Sequence, residues 1–248
     1  MANENIFTSK VKQYTKGRHG YAQDAVDMIV NELLRSGDTV ADIGSGTGIF
    51  SREFIVRGFE TYCVEPNDSM RSEAEKLYSG YPNFHSVPAS AEATTLRDGS
   101  IDVITAASAF HWFDAVRFKA ECRRIASPGC RICLVHNERE YDEMTIAQHE
   151  LCLKYGRNFT SLTHGVEKTR SRASEFFDGK YREVKFDFPI SYTKDKFIAR
   201  SLSSSYAPDE GSDEYASYED GLRNLAEKYA VGDEIIVSNS TVVFCSMY

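Results

Sequence analysis

Three glycines and two acids form the part of this sequence best suited to binding chemistry. Val40-Ala41-Asp42-Ile43-Gly44-Ser45-Gly46-Thr47-Gly48 runs from a β-rich stretch directly into a segment with helical spacing. Without Cβ atoms such a loop turns tightly and lets a ligand approach its backbone, and the helix that follows offers N–H groups without intrahelical partners. A plain strand-to-helix turn rarely needs three glycines and an acid on the strand, so the segment reads as a ligand loop.

The spacing narrows the ligand. A dinucleotide loop requires Gly or Ala at position 49, where this chain has Ile49, whose β-branch obstructs the close helix–strand approach of the pyrophosphate mode. An NAD oxidoreductase is therefore disfavoured. Asp42 is awkward beside two phosphates and natural beside a cation. Glu65 ends the second β-rich run, 23 residues after Asp42, where an acid accepts both hydroxyls of a ribose. An acid for an amino group and an acid for a ribose describe a nucleoside carrying a cationic amino-acid tail. S-adenosylmethionine fits that description.

With these motifs the sequence resembles the class I S-adenosylmethionine-dependent methyltransferases, most of all the small-molecule branch that includes ubiquinone/menaquinone-biosynthesis and trans-aconitate methyltransferases. The resemblance runs from Tyr14 to about Leu134. It implies that the backbone near Gly44, Ser45 and Gly46 holds the methionine portion with Asp42 nearby, that Glu65 binds the ribose, and that Pro66 and Met70 pack near the adenine. Ala89-Ser90-Ala91-Glu92 is similar to a Gly-Asp-Ala-Glu segment that places polar atoms on the adenine edge, with Ser90 where Asp is usual. Ala106 to Asp114 resembles the segment leaving the fourth strand beneath the reactive methyl, which brings in Ala107 and Phe110. Tyr14-x-x-x-Arg18-x-x-Tyr21 resembles an N-terminal arm that folds over the cofactor, the arginine meeting its carboxylate and the tyrosine covering its tail. S-adenosylhomocysteine is the implied product.

Methyl transfer from a sulfonium is an in-line displacement in which alignment supplies much of the acceleration. His111 is placed to act as a general base for a protic nucleophile, or else it packs against the helix that begins near Asp114. Trp112, the single tryptophan, either walls the sulfonium or substrate with its π face or seals the core. Ser205 and Tyr206 are the most suggestive acceptor-side residues in the later chain. Cys130-x-x-Cys133 lacks a second pair or a histidine at ligand spacing, and on a strand residues three apart face opposite ways. Buried thiols and no metal are expected.

The elements that must position these residues alternate. Strands are expected at 39–43, 61–64, 84–87, 101–105 and 131–135, with helices at about 47–57, from an N-cap at Asp68, and at 114–126. This rhythm predicts an α/β, Rossmann-like doubly wound, mostly parallel seven-stranded sheet with helices on both faces. Two later strands are expected near 181–188 and 235–244 and a helix at about 215–229. The chain reads as one domain over 1–248, with a cofactor-binding core at about 30–137. An N-terminal arm (1–29) and insertions within about 138–230 form the substrate side as a helical cap.

Composition sets the outer limits. The 248 residues carry 29 Lys+Arg against 37 Asp+Glu, and nine acids against two bases between Pro208 and Glu234 hold −7 of the net −8. Such a chain offers no basic field for nucleic acid. Nothing approaches the ~20 apolar residues of a membrane span, and six scattered cysteines suit a reduced, cytoplasmic protein. The expected partner is a small-molecule acceptor methylated at O, N or C. Methylation of RNA or protein and non-catalytic S-adenosylmethionine binding are the alternatives.

Overall fold

The computed structural model describes residues 19–204 and 206–247, so Tyr14, Arg18 and Ser205 lie outside the described residues. The chain forms two compact units. Among the described residues the first takes 19–137, 165–186 and 241–247; the second takes 138–164 and 187–240. The expected core at 30–137 thus gains two later pieces.

The first unit is organised by a seven-stranded sheet. Its strands are β1 (Thr39–Ile43), β2 (Glu60–Val64), β3 (Phe84–Val87), β4 (Ile101–Ala107), β5 (Ala126–Arg139), β6 (Arg182–Asp187) and β9 (Asn239–Met247), in the order β3-β2-β1-β4-β5-β9-β6. The pairs β2–β3, β1–β2, β1–β4 and β4–β5 are all parallel. β1 is buried from Val40 to Ile43 without alternation, as a parallel strand covered on both faces must be. The order reverses between β1 and its neighbours β2 and β4, and in doubly wound sheets ligands bind outside the strand ends at that switch.

Helices α1 (Gln23–Met28), α2 (Arg52–Ile55), α3 (Asp68–Tyr78), α4 (Ala115–Ile125) and α6 (His164–Phe176) accompany this sheet. Two corrections have local causes. The N-cap of α3 is Asn67, whose side chain accepts from Met70 N at 3.0 Å, and Asp68 becomes the first helical residue, where its charge favours the helix dipole. The helix expected at 47–57 shrinks to Arg52–Ile55, because the loop's glycines hold φ of +59° to +78° and residues 47–51 remain in turns. Asp114 caps α4 by accepting from Val116 N and Arg117 N. The core gathers Ile43, Val64 and Ile104 from the strands with Phe118 and Ile125 of α4 and Phe176 of α6.

The second unit holds α5 (Glu143–Tyr155), α7 (Lys194–Leu202), α8 (Asp213–Tyr229) and an antiparallel pair, β7 (Ile190–Thr193) and β8 (Glu234–Val237). The single strand expected at 235–244 is therefore two, β8 and β9, divided at Ser238. Tyr218, Leu222 and Ala226 of α8 pack with Phe197 and Ile198 of α7 and Cys152 of α5. All six cysteines are buried thiols. Among the described residues no helix is long and apolar enough to cross a membrane.

Candidate active site

The glycine loop closes over the C-terminal end of β1. Gly44 has φ +68°, and a Cβ there would sit 2.7 Å from Ala109 Cβ and 3.0 Å from Phe113 Cζ, so both backbone conformation and space demand glycine. The loop amides are already committed. Gly44 N and Ser45 N donate to Val64 O at 2.8 and 3.1 Å, and Gly46 N donates to Glu65 Oε2 at 2.9 Å. These amides fasten the loop to the end of β2. What the loop keeps for a ligand are hydroxyls, since Ser45 Oγ and Thr47 Oγ1 are buried with no hydrogen-bond partner.

Asp42 lies beneath the loop, 1% exposed. Its Oδ2 accepts from Ser51 Oγ at 2.6 Å and its Oδ1 from Thr105 Oγ1 at 2.9 Å. Burial pushes its pKa up to about 6 against those two hydrogen bonds, with Glu65's charge adding to the rise. Ser51 and Thr105 escaped the sequence reading because a hydroxyl in a turn or on a strand has no distinctive spacing. Glu65 is also buried, and its Oε1 accepts from Asn67 N at 2.8 Å. An ionised carboxylate offers about four acceptor positions, and ribose hydroxyls are donors of the kind it accepts.

A cavity adjoins this loop, lined by His19, Tyr21, Asp42, Gly44, Ser45, Gly46, Thr47, Ile49, Phe50, Ala107 and Ser108. Tyr21 donates to Ser108 Oγ at 3.1 Å and meets Phe50 edge-on at 5.0 Å between ring centres. The chain is anchored beside it, with Ala22 N donating to Thr241 Oγ1 at 2.8 Å and Asn137 Nδ2 to Gly20 O at 2.8 Å. Ile49, which argued against a dinucleotide, forms part of the wall. Ser108 holds φ +52°, an uncommon conformation for a residue with a Cβ, and faces the cavity.

Residues 41–134 match the family model of the methyltransferase domain. Over these residues the chain is similar to a methyltransferase, and its Rossmann-like fold is that of solved methyltransferases. An uncharacterized methyltransferase of Mycobacterium tuberculosis is 33% identical over 134 residues, 54% of this chain and 53% of that one. The match spans about half the length of that relative. Among solved structures, a protein of Anaeromyxobacter dehalogenans assigned as a type II methyltransferase is similar with a TM-score of 0.65, at 22% identity, over 93% of this chain and 96% of the other. A phosphoethanolamine N-methyltransferase of Haemonchus contortus, solved with phosphomonomethylethanolamine and S-adenosylhomocysteine, has a TM-score of 0.53 at 12% identity, over 98% of this chain and 58% of that chain.

Around the methyltransferase loop the remaining site residues fall into three groups. Met70 and Ala91 are buried, Ser90 is half-buried in a bridge with Ala93, and Pro66 is exposed. Met70 Sδ lies 3.6 Å from where a Gly46 Cβ would be, which puts it against the loop. Glu92 does something else: its Oε1 accepts from Asp114 N at 3.0 Å, tying this segment to the start of α4. The Phe110 ring is fully buried, 4.9 Å from Phe176 and under the Arg172 guanidinium, so it supports the segment after β4 from the core instead of facing the cavity. In this segment it is Ala109 and Phe113 that lie against the glycine loop at Gly44.

His111 and Trp112 share the short turn after β4. The His111 ring stands 4.8 Å from Trp112 and 5.1 Å from His136, whose Nε2 is 2.8 Å from Thr169 Oγ1. Trp112 is 46% exposed, so it does not seal the core. Tyr206 belongs to the second unit, where its ring packs edge-on against Phe159 at 4.9 Å.

Proposed function

We propose that this chain transfers the methyl group of S-adenosylmethionine to a small-molecule acceptor. The observation that carries the reading is the glycine loop held over two buried acids, with the hydroxyls of Ser45 and Thr47 buried beside them and without partners. These residues suit the cofactor's chemistry. Asp42 takes the ammonium side, Ser45 and Thr47 offer donors to the carboxylate, and Glu65 takes the ribose hydroxyls. Met70, Pro66, Ser90 and Ala91 accompany the adenine, with Tyr21 and His19 over the tail. When bound, S-adenosylmethionine supplies a methyl carbon on a positively charged sulfur. The acceptor's lone pair forms the new bond to that carbon as the carbon–sulfur bond breaks, and its electrons stay on sulfur. A protic acceptor passes its proton to His111.

A small acceptor is favoured over nucleic acid by the charge of −8, most of it in one acidic stretch. The Haemonchus contortus neighbour, which is solved with a small phosphorylated amine, is in keeping with that class. The test is an acceptor screen with S-adenosylmethionine labelled on its methyl group, run against small acids, phenols and amines and against bulk RNA and protein. Label in a small molecule supports the reading. Label confined to RNA or protein, or cofactor binding with no transfer to anything, contradicts it.

A further inference from the structure

One face of α6 meets the turn after β4. Residues 165, 169, 172 and 176 recur at helical spacing, so they form a single stripe. A Cβ on Gly165 would lie 3.5 Å from His111 Cε1, Thr169 Oγ1 is 2.8 Å from His136 Nε2, and the Phe176 ring stands 4.9 Å from Phe110. Arg172 completes the stripe. Its Nη2 donates to Phe113 O at 2.8 Å and its Nη1, more weakly, to Phe110 O at 3.4 Å. The guanidinium also lies 4.9 Å from the centre of the Phe110 ring, so it holds the turn through both its main chain and a side chain.

The peptide that Arg172 grips is held from its other end as well. Phe113 O and Asp114 N belong to one peptide unit, and Asp114 N donates to Glu92 Oε1 at 3.0 Å. A cation on the oxygen and a carboxylate on the N–H follow the polarity of the peptide, and such charge-assisted bonds are roughly twice as strong as neutral ones. Asp114 also caps α4, which makes this peptide the joint between the turn and that helix. A 3₁₀ turn of three residues has few hydrogen bonds of its own, so outside partners decide where it sits. What it carries matters to the site. Ala109 and Phe113 lie against Gly44, and both Gly44 and Ser108 line the cavity.

We infer that Arg172 and Glu92 are positioning residues: they clamp the Phe113–Asp114 peptide so that Ala109 and Phe113 stay seated against Gly44, and so keep the glycine loop in the shape that takes the cofactor. The clamp stands on contacts within the first unit. Its bearing on the cofactor rests on the methyltransferase reading proposed above.

Trp112, the single tryptophan, sits on the clamped turn and reports on it directly. Time-resolved fluorescence anisotropy of the full chain measures its local motion, and calorimetric titration with S-adenosylhomocysteine measures the cofactor site. Arg172→Met keeps a stem over Phe110 and loses the donors. The expected result is a larger fast component in the Trp112 decay and S-adenosylhomocysteine binding weakened by about three- to tenfold, the net worth of one hydrogen bond. Arg172→Lys, which keeps the charge and a donor for Phe113 O, restores most of both. Glu92→Ala loosens Trp112 too, and the double variant loosens it by less than the sum of the two, because both residues act on one peptide. Unchanged Trp112 motion in Arg172→Met and Glu92→Ala overturns the clamp, and Glu92→Ala decides the matter alone if Arg172→Met fails to fold. A looser Trp112 with full S-adenosylhomocysteine affinity in Arg172→Met overturns the positioning role. A wild type that binds no S-adenosylhomocysteine removes the methyltransferase reading instead, and the motion of Trp112 then decides the clamp by itself.

Discussion

Replacing Asp42 with asparagine separates what this residue does for the ligand from what it costs the fold. Its carboxyl is buried and its pKa is raised from 3.8 to about 6, desolvation being the largest cause. A raised acid favours the neutral form in the folded state. Its contribution is therefore fully present below 3.8 and disappears as pH rises through about 6. Above that range the fold carries a buried charge costing ~3 kcal/mol, from the gap between the two values. The carboxamide of the variant would carry no charge and would still accept from one of the hydroxyls of Ser51 and Thr105. Losing the charge-assisted character of those bonds reduces the gain to about 1–2 kcal/mol, or roughly 2–8 °C in melting temperature for a chain of this size. The expected outcome for Asp42→Asn is a higher melting temperature than the wild type at pH 8, with the difference gone at pH 5. Affinity for S-adenosylhomocysteine should fall by about tenfold or more, because the ammonium loses its counter-charge. Differential scanning calorimetry at the two pH values checks the first statement and titration calorimetry the second. A variant that melts below the wild type at pH 8 and binds the ligand equally well would refute the reasoning.

Further changes probe the site. Wild-type affinity for S-adenosylhomocysteine should drop as pH falls below about 6, since Asp42 must first give up a proton, and calorimetry in two buffers of different ionisation heat will register that release. Gly44→Ala should destabilise the chain by about 2–4 kcal/mol, combining the left-handed backbone penalty with the clash against Ala109 and Phe113, as read from a urea melt. Glu65→Ala should weaken the cofactor by about 1–3 kcal/mol and loosen Gly46 and Asn67, whose amides it holds; titration calorimetry measures the first and amide exchange the second. His111→Ala should lower turnover by about 10²–10⁴-fold with cofactor affinity unchanged, and equal turnover would assign His111 to packing with His136 and Trp112 alone.

The parallel sheet was legible because short β-rich runs at 39–43, 61–64, 84–87, 101–105 and 131–135 are set apart by glycine-rich, polar or helical stretches, and strands separated by helices admit few arrangements. The later elements were less so. β7 is four residues long and follows Pro189, too brief for a period to emerge, and Val237-Ser238-Asn239 carries no glycine or proline to announce the break between β8 and β9. In the site, the glycines and acids stood out by type and spacing, whereas their supports did not. Ser51, Thr105, Ala109 and Phe113 act through where they end up in space, and nothing in their own neighbourhoods marks them. Asn67 and Asp68 are both good helix caps, and only the geometry of the turn decides between them.

The most direct test of the central claim is calorimetric titration of the purified chain with S-adenosylmethionine, S-adenosylhomocysteine and NAD. Binding of both adenosyl ligands with no heat from NAD is the predicted result. A folded sample that binds neither adenosyl ligand, or that binds NAD as well as them, would contradict the account.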